Sequence, residues 1–381
     1  MAGPTRHQGK VRIGLVGLGF GAEFIPIYQH HPQAEVAAIC QRDPGVLKRC
    51  GDRFGVPEER RFPSYAAMLA APGIDAIHIN TPIPLHAEHS IAALSAGKHC
   101  ACTVPMATSV EACAAIVRAQ RASGKHYMMM ETTVYSREFL FVQDLYQRGE
   151  LGRLQFLRAA HQQEMAGWPG YWEGLPPMHY ATHCVGPMLG LAGQPAARVS
   201  CIGSGRIADA LAIRYGSPFA VESAHIILDG SETGCEMTRS LFETAREYVE
   251  SFDVYGSKRS FEWAQLEHEA KPVLFTGEQA EHLAIPDAAD RLPEAIRPYT
   301  TISVYDGPDS HLSFKQGSGP GGSHPHLAHE FVTAIAEGRP PAIDAVTSAN
   351  WTCAGILAHE SALRDGAWID LPAFTRDRKN P

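Results

Sequence analysis

The run Val11-Arg12-Ile13-Gly14-Leu15-Val16-Gly17-Leu18-Gly19-Phe20-Gly21-Ala22 decides how the chain is read. Val11 to Val16 is β-branched and apolar, the pattern of a strand buried on both faces. The glycines that follow make a tight turn, and a helix is expected to begin near Ala22. Gly17 permits the turn, Gly19 lets backbone approach a pyrophosphate, and Ala22 allows close helix–strand packing, with Phe20 and Gly21 completing the fingerprint. A helix start then offers N–H groups and partial positive charge to phosphates. Glycine turns of this kind also serve packing alone, so the neighbouring sequence has to decide.

A second strand, Glu35 to Cys40, lies where a βαβ unit requires one, and it closes in Gln41-Arg42-Asp43. Gln41 can bond a ribose hydroxyl and Arg42 can accept a 2′-phosphate; NAD is preferred to NADP, and Asp43 reads as a ribose ligand or a surface turn residue. Further strands follow at Ala76 to Asn80, Lys98 to Cys102 and His126 to Glu131, with helices between them. Repeated βα units imply an open parallel sheet. Ligands on such sheets lie beyond the carboxyl ends of the strands. That places Thr81, Thr103, Val104, Pro105 and Glu131 on one rim, with Asn80, Pro82 and His86 as further candidate cofactor contacts.

Beyond Ser136 the pattern changes. A helix at Glu138 to Arg148, a strand at Leu154 to Gln163 and a Trp/Gly/Pro-rich loop at 167–174 lead to a helical stretch from Met178 to Leu191. Strands then cluster at Arg198 to Ile202, Val221 to Leu228, Glu236 to Phe242, Glu247 to Tyr255 and Arg259 to Trp263, the last two joined at Gly256-Ser257. Strands without interleaved helices suggest a mostly antiparallel sheet. Two late helices are expected at His326 to Ala336 and Ser348 to Arg364. The expected architecture is α/β: a Rossmann dinucleotide-binding domain over residues 1–133, then a C-terminal α/β domain over 134–381 with a large, mostly antiparallel open sheet. The late helices can pack back on the first domain.

Composition agrees. At roughly 100–200 residues per domain, 381 residues suit two domains or one large one. A chain 45% hydrophobic and 19% charged is not generally disordered. Its formal charge of −8, without a long basic run, argues against nucleic acid or an anionic membrane as partner. The polar N-terminus has no export signal, so a cytoplasmic protein is expected. Nine cysteines in no regular framework read as reduced, mostly buried thiols.

The glycine turn, Asn80-Thr81-Pro82 with His86, Thr103-Val104-Pro105 and the region of His183 together resemble the Gfo/Idh/MocA superfamily over nearly the whole chain. The resemblance implies NAD as cofactor, a sugar-like small molecule as substrate, and a homo-oligomer built on the open sheet. Dehydrogenases of that superfamily usually carry Glu-Lys-Pro where this chain has Thr103-Val104-Pro105, and Asp where it has His179. Val104-Pro105, Met128-Met129-Met130-Glu131, Tyr135-Ser136-Arg137, Tyr180-Ala181-Thr182-His183 and Gly186-Pro187 are instead similar to its NAD-dependent glycoside hydrolase branch, of α-N-acetylgalactosaminidase or sulfoquinovosidase type. Candidate substrates are accordingly sulfoquinovosides and N-acetylhexosaminides.

That resemblance implies transient oxidation of a glycoside at C3, loss of the C2 proton, elimination of the aglycone, addition of water and re-reduction. His183 is the expected base for the C3 hydroxyl, since imidazole titrates near neutrality. Tyr180, three residues earlier, is the expected base at C2 and needs help from a cation. Glu131 can bind a ribose or substrate hydroxyl or exchange protons. His161, Trp168, Tyr171, Trp172, His179 and His326 are candidate substrate contacts. His179 and His183 stand i, i+4, a spacing zinc sites use, but without H-E-x-x-H no metal is expected. The alternatives are an NAD(P)-dependent sugar or polyol dehydrogenase, a dehydratase or epimerase, and a nucleotide-binding regulator without chemistry.

Overall fold

The structure, a computed structural model, describes residues 8–165, 174–246, 248–264, 271–301 and 320–375. Within these, contacts divide the chain into two compact units. The first takes residues up to Ala107, Glu111–Tyr135 and Asp287–Ser348; the second takes Thr108–Val110, Ser136–Pro286 and the chain from Ala349 onward.

The first unit is built on six parallel strands. These are β1 (Val11–Val16), β2 (Ala34–Cys40), β3 (Arg61–Phe62), β4 (Ala76–Ile79), β5 (His99–Thr103) and β6 (Tyr127–Met130), in the order β3-β2-β1-β4-β5-β6. That order reverses beside β1, which is the topological switch point of a Rossmann sheet. Ile13, Leu15, Ile77 and Met128 are fully buried in it. Helices α1 (Ile25–His30), α2 (Pro44–Arg53), α3 (Tyr65–Ala70), α4 (His86–Ser95) and α5 (Val110–Ser123) intervene between strands.

One expected start moves. The residues after the glycine turn form a 3-10 segment, Phe20–Phe24, and α1 begins only at Ile25. Pro26 fits the first turn of α1, where its missing N–H costs nothing.

The second unit carries a nine-stranded sheet. Its strands are β7 (Leu154–Gln162), β8 (Ala196–Ser204), β9 (Val221–Leu228), β10 (Gly234–Ser240), β11 (Val249–Gly256), β12 (Ser260–Glu262), β13 (Val273–Thr276), β14 (Gln279–His282) and β15 (Ile369–Asp370). They run β14-β13-β12-β11-β7-β10-β9-β8-β15, antiparallel except for the pair β7–β10. Helix α6 (Arg137–Gln147) starts under the Ser136 cap, and α7 (Thr182–Ala192) packs across β7, β10 and β11.

The single helix expected from Met178 is instead a 3-10 segment, Pro177–Tyr180, followed at Thr182 by α7. Pro176 and Pro177 lack the N–H groups a longer α-helix would need there. Helix α8 (Asp209–Tyr215) follows β8, while α9 (His324–Glu337) and α10 (Ala345–Ala362) come late in the chain. All nine cysteines are free, eight of them buried. Among the described residues, no helix is long and apolar enough to cross a membrane.

Candidate active site

The glycine turn is shaped by β4. Gly17 has φ +86°, and a Cβ there would lie 2.3 Å from the Asn80 carbonyl oxygen. Only glycine tolerates both conditions. A Cβ on Gly21 would stand 2.8 Å from Asn80 Nδ2, whereas one on Gly19 would meet nothing within 4 Å. The protein thus presses on the turn at Gly17 and leaves open space at Gly19, as a bound pyrophosphate requires. No side chain caps the 3-10 segment that follows. These residues fit a dinucleotide.

At the end of β2, Gln41 Oε1 accepts a bond from Arg42 N at 2.9 Å. Asp43 Oδ1 accepts from Val46 N at 2.8 Å and so caps α2, which supports its reading as a turn residue. On the rim, His86 is buried with Nδ1 2.7 Å from Pro105 O and Nε2 2.8 Å from Thr81 O. It ties the loop after β4, at Thr81-Pro82, to the loop after β5. Thr103 Oγ1 donates to Ile79 O at 3.3 Å, and Val104, 6% exposed, precedes Pro105 through a cis bond. An apolar side chain at 104 cannot move a proton.

Glu131 is fully buried just beyond β6, and its Oε1 accepts from Thr133 N at 3.0 Å, an arrangement that holds the chain turn. His326 is buried on α9, where burial and then Arg291 push its pKa down to about 4.

Proton-handling groups gather in the second unit. β7 lies between β10 and β11, with Arg239 and Glu250 both in register with His161. Paired residues in adjacent strands point to the same face. All three are buried: Arg239 and His161 at 0% exposed, Glu250 at 7%. Over this row α7 brings His183, and the 3-10 segment brings Tyr180. The His161 ring centre lies 5.2 Å from that of His183 and 6.1 Å from that of Tyr180. Tyr180 and His183 are 5.1 Å apart by the same measure.

Both His161 Nε2 and His183 Nε2 stand 3.7 Å from Glu250 Oε1, and the Tyr248 hydroxyl donates to that same oxygen. Burial, then Arg239 and His183, push the His161 pKa well below the usual imidazole value, so it is neutral. Neither of its ring nitrogens has a hydrogen-bond partner among the described residues. A carboxylate, two imidazoles, two phenols and a guanidinium in one neighbourhood can accept, hold and return protons.

The structure therefore brings Tyr180, His183 and His161 together and adds Arg239, Tyr248 and Glu250, which sequence reading missed. The available signal was a charged residue inside each of two alternating strands. His179 lies elsewhere, its ring centre 5.6 Å from that of His359. His359 Nδ1 in turn meets Glu222 Oε1 at 2.6 Å. Burial, then His359, push the His179 pKa down to about 3. Trp168, Tyr171 and Trp172 lie outside the described residues. Among the described residues, no group of three or more His, Cys, Asp or Glu side chains is arranged to hold a metal ion.

Residues 11–131 match the family model GFO_IDH_MocA, described as an oxidoreductase family with an NAD-binding Rossmann fold. A glycosyl hydrolase family 109 protein of Shewanella baltica is 32% identical over 199 residues, 47% of this chain and 43% of that protein. An alpha-N-acetylgalactosaminidase of Shewanella oneidensis is 31% identical over 199 residues with the same shares. The chain thus spans less than half the length of these curated relatives. An oxidoreductase from Agrobacterium radiobacter, solved with NAD+, L-tartaric acid and magnesium, superposes with a TM-score of 0.75 at 18% identity, covering 95% of this chain and 98% of that one. At that identity the likeness is one of fold.

Proposed function

We propose, from the premise that residues 11–131 belong to the Gfo/Idh/MocA oxidoreductase family, that the chain is an NAD-dependent glycoside hydrolase acting through transient oxidation of the sugar at C3. The observation that carries this reading is Val104. The rim position where the resemblance puts a dehydrogenase's lysine holds a buried valine, so proton transfer falls to the imidazole and phenol groups around Glu250. The glycosyl hydrolase names of the curated relatives support the same reading.

When bound, NAD supplies a reversible hydride acceptor, which lets a sugar be carried for a time as its 3-ketone. The turn from Gly17 to Ala22 would hold its pyrophosphate, and Gln41 and Arg42 its adenosine ribose. His183 takes the proton of the C3 hydroxyl, and the Glu250 carboxylate stabilises the imidazolium that results. Tyr180 takes the C2 proton, which the ketone has made acidic. Neutral His161, with both nitrogens available, offers a donor or acceptor to the departing oxygen or to water.

The test is a panel of aryl α-N-acetylgalactosaminides and sulfoquinovosides, with aglycone and NADH followed together. Aglycone released without net NADH is the expected result. Stoichiometric NADH without aglycone would make the chain a sugar dehydrogenase instead. Cofactor binding with neither product would make it a regulator.

A further inference from the structure

A tyrosine needs positive charge nearby to act as a base near neutral pH, because its phenol ordinarily holds its proton to about pH 10. Such a charge stands beside Tyr180. The Arg239 guanidinium carbon lies 5.9 Å from the centre of the Tyr180 ring, within the range of a cation–π contact. Arg239 is fully buried and held on several sides. Its Nη1 donates to His161 O at 2.9 Å and to Ser240 O at 3.0 Å, and its Nη2 donates to Gln163 Oε1 at 2.9 Å. Burial lowers its pKa only to about 10, so it keeps its charge at neutral pH. Its Nη1 and Nη2 are engaged by these protein acceptors.

The two imidazoles beside Tyr180 do not supply that charge. His161 is neutral, and His183 is cationic only after taking a proton. Tyr180 also packs against an apolar cluster that includes Met165, Ile207, Leu241 and Phe242. Glu250, paired beyond His161 from β11, is negative and works in the opposite sense. Arg239 is, among the described residues, a buried cation set against the Tyr180 ring.

We propose that Arg239 is a positioning residue of the site, its fixed positive charge stabilising the phenolate form of Tyr180. This rests on the reading of Tyr180 as the C2 base. In that step the C2–H bond breaks, its electron pair passes into the enolate formed with the C3 ketone, and its proton bonds to the phenolate oxygen.

The test is an ultraviolet difference titration of tyrosinate on the NAD-bound protein without substrate, with Tyr180→Phe subtracted to isolate one ring. Arg239→Met should move the Tyr180 transition up by about one to two pH units, and Arg239→Lys should restore most of the shift. Arg239→Gln, which keeps a donor for His161 O, replaces Met if that variant does not fold. A neutral variant that folds, binds NAD and leaves the transition in place overturns the proposal. The titration uses no glycoside, so a failed hydrolase assay leaves this result readable.

Discussion

His183 and Glu250 face one another with Nε2 3.7 Å from Oε1, an ion-pair separation rather than a hydrogen bond. The carboxylate therefore acts on the imidazole through charge. Removing the proposed base, His183→Ala, should lower kcat by about 10²- to 10⁴-fold. Glu250→Gln should lower it by roughly ten- to a hundredfold, with NAD affinity unchanged in both. In the His183→Ala background the Glu250 change should have little further effect, since the two form one unit. Additive losses in that double-mutant cycle would separate Glu250 from the proposed chemistry.

Gly17 and Gly19 answer to different demands. Gly17→Ala puts a methyl group 2.3 Å from the Asn80 carbonyl at φ +86°, and both melting temperature and NAD binding should fall. Gly19 has φ −65° and open space around it. Gly19→Ala should therefore fold normally, with a melting temperature within about two degrees of the parent, but bind NAD at least about tenfold more weakly. Calorimetry on the two variants checks this; equal thermal losses would show that packing alone requires Gly19.

Much of the first unit could be read in advance because its strands are buried on both faces. Val11–Val16 is apolar apart from the exposed Arg12, and its glycine turn is a local signal. The proton-handling row is different. His161 lies far along the chain from Arg239 and Glu250, and the three meet because β10 and β11 flank β7 in one register. A lone charge in an alternating strand does not reveal which strand will be its neighbour. Tyr180 and His183 are neighbours, with ring centres 5.1 Å apart, but they sit on successive segments rather than on the single helix expected from Met178. His179, grouped with them by that spacing, turns to His359 instead.

Asp43 caps α2 through Val46 N. Asp43→Ala should cost about 1 kcal/mol of stability and change NAD affinity by less than about twofold. Urea denaturation and NAD titration measure the two effects separately. A large loss of NAD binding with little loss of stability would return Asp43 to the ribose.

Burial holds several histidines neutral in the fold. It pushes His78, His179 and His324 down to about 3, and His31 and His326 to about 4. Once unfolded they protonate near pH 6.5. The stability linked to them is whole above pH 6.5 and is lost as pH falls towards 4 and 3, by up to about 1.4 kcal/mol per pH unit for each group. Denaturant midpoints should accordingly drop between pH 7 and pH 5. His324→Leu should flatten that slope, and an unchanged slope would remove His324 from the account.

The row across β10, β7 and β11 also constrains how such a protein can diversify. Inserting one residue between Gly234 and Arg239 would turn the guanidinium to the opposite side of the sheet, whereas segments beyond the strand ends carry no comparable constraint. On the proposed function, taste for a new sugar can therefore be acquired at the periphery while the reaction stays inherited with the strands.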